Sequence, residues 1–261
     1  MDLAPAFLSI VSLPDGLPLW AALTAIAASF FTAALTASFG LGGGLALLAV
    51  MSAVFPPAAV IPIHGAAQIG SNFSRFALQR RDVVWPIVIW FCAGAVIGAG
   101  LGGRVAIDLP TGWLRLGVGV FVLASVWGPQ PKSLAPGEKT FFATGVVASF
   151  LTMFFGATGP IVATMLGATK LARLPVLATH AACMVAQHGL KILIFGLFGF
   201  AYGAWAPIIA TILVAGFAGT ALGSRALRQM HEETFRRGFK FLLTAIAVYL
   251  LVAGLMSVRT G

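Results

Sequence analysis

Long apolar runs broken by short polar or Pro/Gly interruptions divide the chain into helical segments. They fall at 18–39, 41–55, 58–79, 84–107, 112–128, 140–156, 159–170, 174–199, 203–226 and 236–257. No Lys, Arg, Asp or Glu lies between Asp15 and Arg75, between Lys139 and Lys170, or between Lys191 and Arg225. About 20 such residues suffice for a helix to cross a bilayer. Punctuation comes from Pro56-Pro57, from Pro110, from Gly199–Gly203 and from the proline-rich Gly128–Lys139 stretch. That last stretch predicts a connecting loop, 129–139, between a first unit, 18–128, and a second, 140–257.

The polar residues inside these apolar segments recur. His64, Ser71, Asn72 and Arg75 return 116 positions later as His180, Gln187, His188 and Lys191. Gly40-Leu41-Gly42-Gly43 returns at the same offset as Gly156-Ala157-Thr158-Gly159, and Gly98–Arg104 answers Gly219–Arg225. Core packing alone repeats apolar periodicity; repeated polar groups in apolar segments point to a site assembled from two halves.

Composition fits the same picture. Hydrophobic residues make up 59% of the chain, charged residues 9%, and the mean hydropathy is +1.00, the profile of an all-α polytopic membrane protein. The 31 glycines, many in spaced pairs such as Gly94/Gly98/Gly102, let helix backbones approach closely in lipid. A net charge of +9 does not read as nucleic-acid binding, because the positive residues cluster at segment ends, where they orient a membrane protein. Before Arg75 there is no basic residue, so the first apolar segment is expected to be retained rather than cleaved as a signal peptide. Cys92 and Cys183 lie in apolar stretches and form no disulfide framework. No His-x-x-x-His or Cys-x-x-Cys spacing calls for a metal; neither a cofactor nor an enzymatic activity is expected.

Charge also bears on whether 18–55 and 140–170 are each one long helix or two pieces. With each as a single pass, nine basic residues face the cytoplasm and six lie outside; with each broken into an antiparallel pair at its glycines, the ratio is twelve to three. The positive-inside rule prefers the broken form. Each half then holds an odd number of segments, so the second runs upside down: two inverted repeats of about 4–5 helical segments, with Gly-broken helices near the midplane. Eight or ten full crossings are both compatible with this parity.

At 100° per residue, His64, Gln68, Ser71 and Arg75 share one stripe of a helix, with Asn72 at its margin. His180, Gln187 and Lys191 repeat it, with His188 at the margin. An ionisable group facing lipid costs several kcal/mol, so these stripes must face a cavity or other helices. All seven carboxylates, by contrast, fall in tails or predicted connections. Buried groups that are only cationic or switchable favour an anion. If Leu45 and Ile161 begin the second pieces of the broken helices, backbone N–H groups at Gly42, Gly43, Gly44, Thr158 and Gly159 would face that anion near the midplane. Plainer roles are open for others: Arg75 as a snorkelling headgroup contact, Cys183 as core filler, and Arg104 and Arg225 as interface anchors.

A first helix ending in Gly40–Gly44, a second running from His64 through Ser71-Asn72 to Arg75, a third closing on Gly98–Arg104, and a weaker repetition of all three resemble the sulfite exporter TauE/SafE family, also called the TSUP permeases. The resemblance spans nearly the whole chain. It implies a multi-pass secondary carrier of the bacterial inner membrane for sulfite, sulfoacetate, other organosulfonates and related sulfur oxyanions. Gly156-Ala-Thr-Gly-Pro160 and the pair Gln187-His188 depart from the family pattern, which leaves the particular anion open. The expected mechanism is alternating access around one midplane site between His64 and His180. A histidine would gain a proton as the anion binds, with Arg75 at the cytoplasmic mouth and Lys191 at the opposite one. A passive anion channel and a carrier of non-sulfur organic anions are the alternatives. The expected partners are a small anion and the lipid bilayer, with homodimerisation open.

Overall fold

The computed structural model describes residues 13–14, 16–39, 43–106, 110–128, 136–226 and 232–260. Among them the chain forms ten helices: α1 (Leu19–Phe39), α2 (Gly43–Val54), α3 (Pro57–Gln79), α4 (Trp85–Ala106), α5 (Thr111–Trp127), α6 (Glu138–Phe155), α7 (Gly159–Gly167), α8 (Arg173–Leu197), α9 (Tyr202–Ala226) and α10 (Glu232–Thr260). Stretches in α1, α4, α8 and α9 are long and apolar enough to cross a membrane. The exterior carries large apolar side chains such as Trp20, Phe31, Ile89, Leu101 and Phe217, whereas His64, Gln187 and Lys191 are wholly buried. Apolar groups outside and polar groups inside are what a lipid solvent demands.

Both predicted breaks are present. At 1.5 Å per residue, the 12 residues of α2 span about 18 Å and the 9 of α7 about 14 Å, well short of a hydrocarbon core of about 30 Å. These two helices are therefore half-depth pieces. They start at Gly43 and Gly159, two residues before the expected Leu45 and Ile161. Gly156 ends α6 with φ +74°, a left-handed conformation that suits glycine, and Pro160 sits in the first turn of α7. At the other break, a Cβ on Gly43 would run into the Thr32 carbonyl and the Thr36 hydroxyl of α1, so the hairpin closes only over glycine. Gly40–Gly42 lie outside the described residues.

Packing is organised by pairs. α4 lies against α6, α1 against α9, α5 against α10 and α3 against α8. Glycines set the close approaches: a Cβ on Gly94 or Gly98 would strike the carbonyls of Phe142 and Val146, and one on Gly219 that of Phe30. These contacts also give direction. Along α4 and α6, Gly94 meets Phe142, Gly98 meets Val146 and Gly102 meets Phe150, so the two helices run parallel. The Ser29 hydroxyl of α1 donates to the Ile212 carbonyl of α9 (2.8 Å), and Phe30 meets Gly219, again a parallel pair. In α5 and α10 the order reverses: Gly112 meets Val258, Gly119 meets Leu251, and the Trp127 indole donates to Thr244 (2.9 Å). The same is true of α3 and α8, where Gly65 faces Lys191 and Ile69 faces Gly189.

Candidate functional site

The antiparallel pair α3/α8 forms the centre, and each of its polar stripes engages the half-depth helix of its own half. His64 Nε2 lies 2.9 Å from the Gly44 carbonyl, and His180 Nε2 lies 3.2 Å from the Gly159 carbonyl. A carbonyl only accepts, so Nε2 carries the proton in both rings and Nδ1 is left as a bare acceptor. Neither Nδ1 has a hydrogen-bond partner, nor does Nδ1 of His188, although all three residues are at least 95% buried. Buried polar atoms are nearly always paired, which makes three unpaired imidazole nitrogens unusual.

In the first half the remaining groups are tied along α3. Ser71 Oγ donates to Gln68 Oε1 (3.2 Å), Asn72 Nδ2 to the Gln68 carbonyl (2.8 Å), and Arg75 Nη2 to Asn72 Oδ1 (2.8 Å). The Gln68 amide also lies over Gly44. In the second half the bonds run between helices. Gln187 Nε2 donates to Thr158 Oγ1 (3.1 Å) and Ser149 Oγ (3.2 Å), and Thr158 Oγ1 donates to the Ala148 carbonyl (2.9 Å). Gln187 and Thr158, two of the expected ligands, are thus engaged in fastening α8 to α6 and the α6/α7 turn.

Lys191 departs from expectation. It was expected at an aqueous mouth, but its exposure is 0% and its ammonium donates to the Gly156 carbonyl (2.6 Å). The glycine turn after α6 supplies an outward-pointing carbonyl, and Gly65 of α3 leaves room for the lysine stem. The ammonium is within electrostatic reach of His64 and His188, whose rings meet edge-on at 6.0 Å. Arg75, half-buried, is within reach of His180. His64 and His180 therefore do not flank one point. The antiparallel register sets His180 near the level of Arg75, 11 residues from His64, an axial offset of about 16 Å.

A cavity of about 370 Å³ opens beside this centre, between α1, α2, α3 and α9. At about 30 Å³ per water it has room for a dozen, within the usual size of small-molecule pockets. Of the expected residues, Gly43, Gln68 and Ser71 line it, joined by Ser29, Thr32, Thr36, Ser74 and Thr220. These hydroxyls were not singled out from the sequence, since lone Ser and Thr in membrane helices commonly bond their own preceding turn, as Thr36 does to the Thr32 carbonyl (2.9 Å). A signal did exist: Thr36 recurs 116 positions later as Thr152, which donates to the Gly156 carbonyl (3.1 Å). Gly42 lies outside the described residues. Cys183 is buried in an apolar cluster with Phe91 and Ala95, as core filler would be.

A sequence model of the Sulfite exporter TauE/SafE family matches residues 25–250, most of the chain, and the chain belongs to that family. With its apolar helices, this makes it a multi-pass membrane transport protein of the permease type. No curated protein sequence and no solved structure matches the chain.

Proposed function

We propose, with membership of the TauE/SafE family as premise, that the chain is a secondary permease of the bacterial inner membrane. Its substrates would be small sulfur-containing anions such as sulfite, sulfoacetate or other organosulfonates. The observation that carries this reading is the charge inventory of the α3/α8 centre. Lys191, Arg75 and three histidines gather there, while the carboxylates whose side chains are described, Asp82 and Glu138, lie at helix ends. A cation pathway needs acidic groups at depth; a centre with only cations and imidazoles favours an anion. Proton coupling is supported by the bare Nδ1 atoms, which offer a place for a proton that arrives with the anion.

Alternating access between two inverted repeats, 18–128 and 140–257 joined by 129–139, is supported by the helix directions. Helices in matching positions of the two halves, α3 with α8 and α5 with α10, run antiparallel, while α4 runs with α6 and α1 with α9. A two-fold axis in the membrane plane produces that set of directions. The test is sulfite flux into proteoliposomes carrying the His64→Ala, His180→Ala double variant. Flux should be saturable and proton-driven in the parent and absent in the variant. Undiminished flux in the variant, or transport of cations alone, would refute the proposal.

A further inference from the structure

We infer that the centre holds two anion subsites in series rather than one. Each is built from a cation of one core helix and a histidine of the other: Lys191 with His64 and His188 at one end, Arg75 with His180 at the other. The inference rests on the permease reading above and specifies how its site is divided.

The first subsite is fixed by contacts. Gly65 lets the Lys191 stem lie against α3 beside His64, and His188 closes on His64 at 6.0 Å. The second follows from register, because α3 and α8 run antiparallel and each carries its histidine 11 residues before its cation. Antiparallel pairing in the register set by Gly65 with Lys191 and Ile69 with Gly189 then brings Arg75 to the level of His180. The subsites are separated by about 16 Å along the helices, farther than a single small oxyanion can bridge. Both ends hold imidazole Nδ1 atoms that are buried and unpartnered, two at the lysine end and one at the arginine end. Each of these nitrogens can take a proton and then donate to an anion at its own end.

The two ends are not in the same state. Lys191 is sealed and tied to the Gly156 carbonyl, whereas Arg75 is partly exposed. The arginine end is the less sealed of the two in this conformation. Occupation of the lysine subsite requires the ammonium to leave Gly156, so the bond is a latch on that subsite.

The test is equilibrium dialysis of radiolabelled sulfite, and separately of sulfoacetate, against the purified full-length chain in detergent. Two anions should bind per parent chain. Arg75→Gln and Lys191→Met should each lower this to one, and the double variant to none. Should Lys191→Met not fold, as judged by gel filtration, His64→Gln removes the same subsite and His180→Gln the other. One anion per parent chain, or complete loss of binding in any single folded variant, overturns the two-subsite division while leaving anion transport standing. A parent chain that binds neither anion overturns both.

Discussion

Replacing Lys191 by methionine separates a transport role from a structural one, because the two predict opposite changes. Met approximates the length and flexibility of the lysine stem, so the packing over Gly65 is kept. The lost bond to the Gly156 carbonyl costs about 1.5–3 kcal/mol, as a hydrogen bond from a charged donor. Against this, removing an ammonium with no exposed surface lifts a desolvation penalty of several kcal/mol. The thermal midpoint in detergent should therefore stay level or rise. An anion held at about 4 Å from that ammonium gains about 4 kcal/mol at an effective dielectric constant of 20. With roughly 1.4 kcal/mol per decade, its half-saturating concentration should rise by about 10²–10³-fold. The assay is initial sulfite uptake into proteoliposomes, normalised to monodisperse protein. A sharp drop in melting temperature with an unchanged half-saturating concentration would refute the reasoning and leave Lys191 as a fastener of the α6 turn.

Two further predictions concern the scaffold. Gly98→Ala should destabilise the protein by about 1–3 kcal/mol, because the new methyl meets the Val146 backbone rather than a movable side chain, while Gly100→Ala, with nothing nearby, should leave the melt within about 0.5 kcal/mol. Paired melts in one detergent decide this. Gln187→Leu should cost about 1–3 kcal/mol by depriving Ser149 Oγ and Thr158 Oγ1 of their amide donor, read as a lower melting temperature.

Much of the helical layout could be read along the chain because charge-free runs and Pro/Gly breaks are local signals. The last helix shows the limit: α10 starts at Glu232, four residues before the expected 236, where charged residues hid the helix from an apolar count. That the histidine helices and the glycine breaks belong together was legible from their copied positions, whereas the bond from each ring to a carbonyl of Gly44 or Gly159 was not. The axial offset between His64 and His180 was not. Periodicity fixes the angle of a residue around its own helix, but the register of one helix against another is decided by contacts such as Gly65 with Lys191. The inward turn of Lys191 was hidden for a related reason, since its acceptor is a main-chain carbonyl whose direction depends on the left-handed Gly156. Ser29 escaped notice because its partner, the Ile212 carbonyl, carries no mark in the amino-acid alphabet.

The parallel seating of α1 on α9 has a consequence for biogenesis. The two contact points joined by the Ser29 hydroxyl lie 183 residues apart, so a ribosome adding about 5–20 residues per second delivers the second about 10–40 s after the first. Throughout that interval Ser29 of α1 lacks its α9 partner. Since α4 likewise waits for α6, helices made early gain their closest partners only once the later helices have been synthesised.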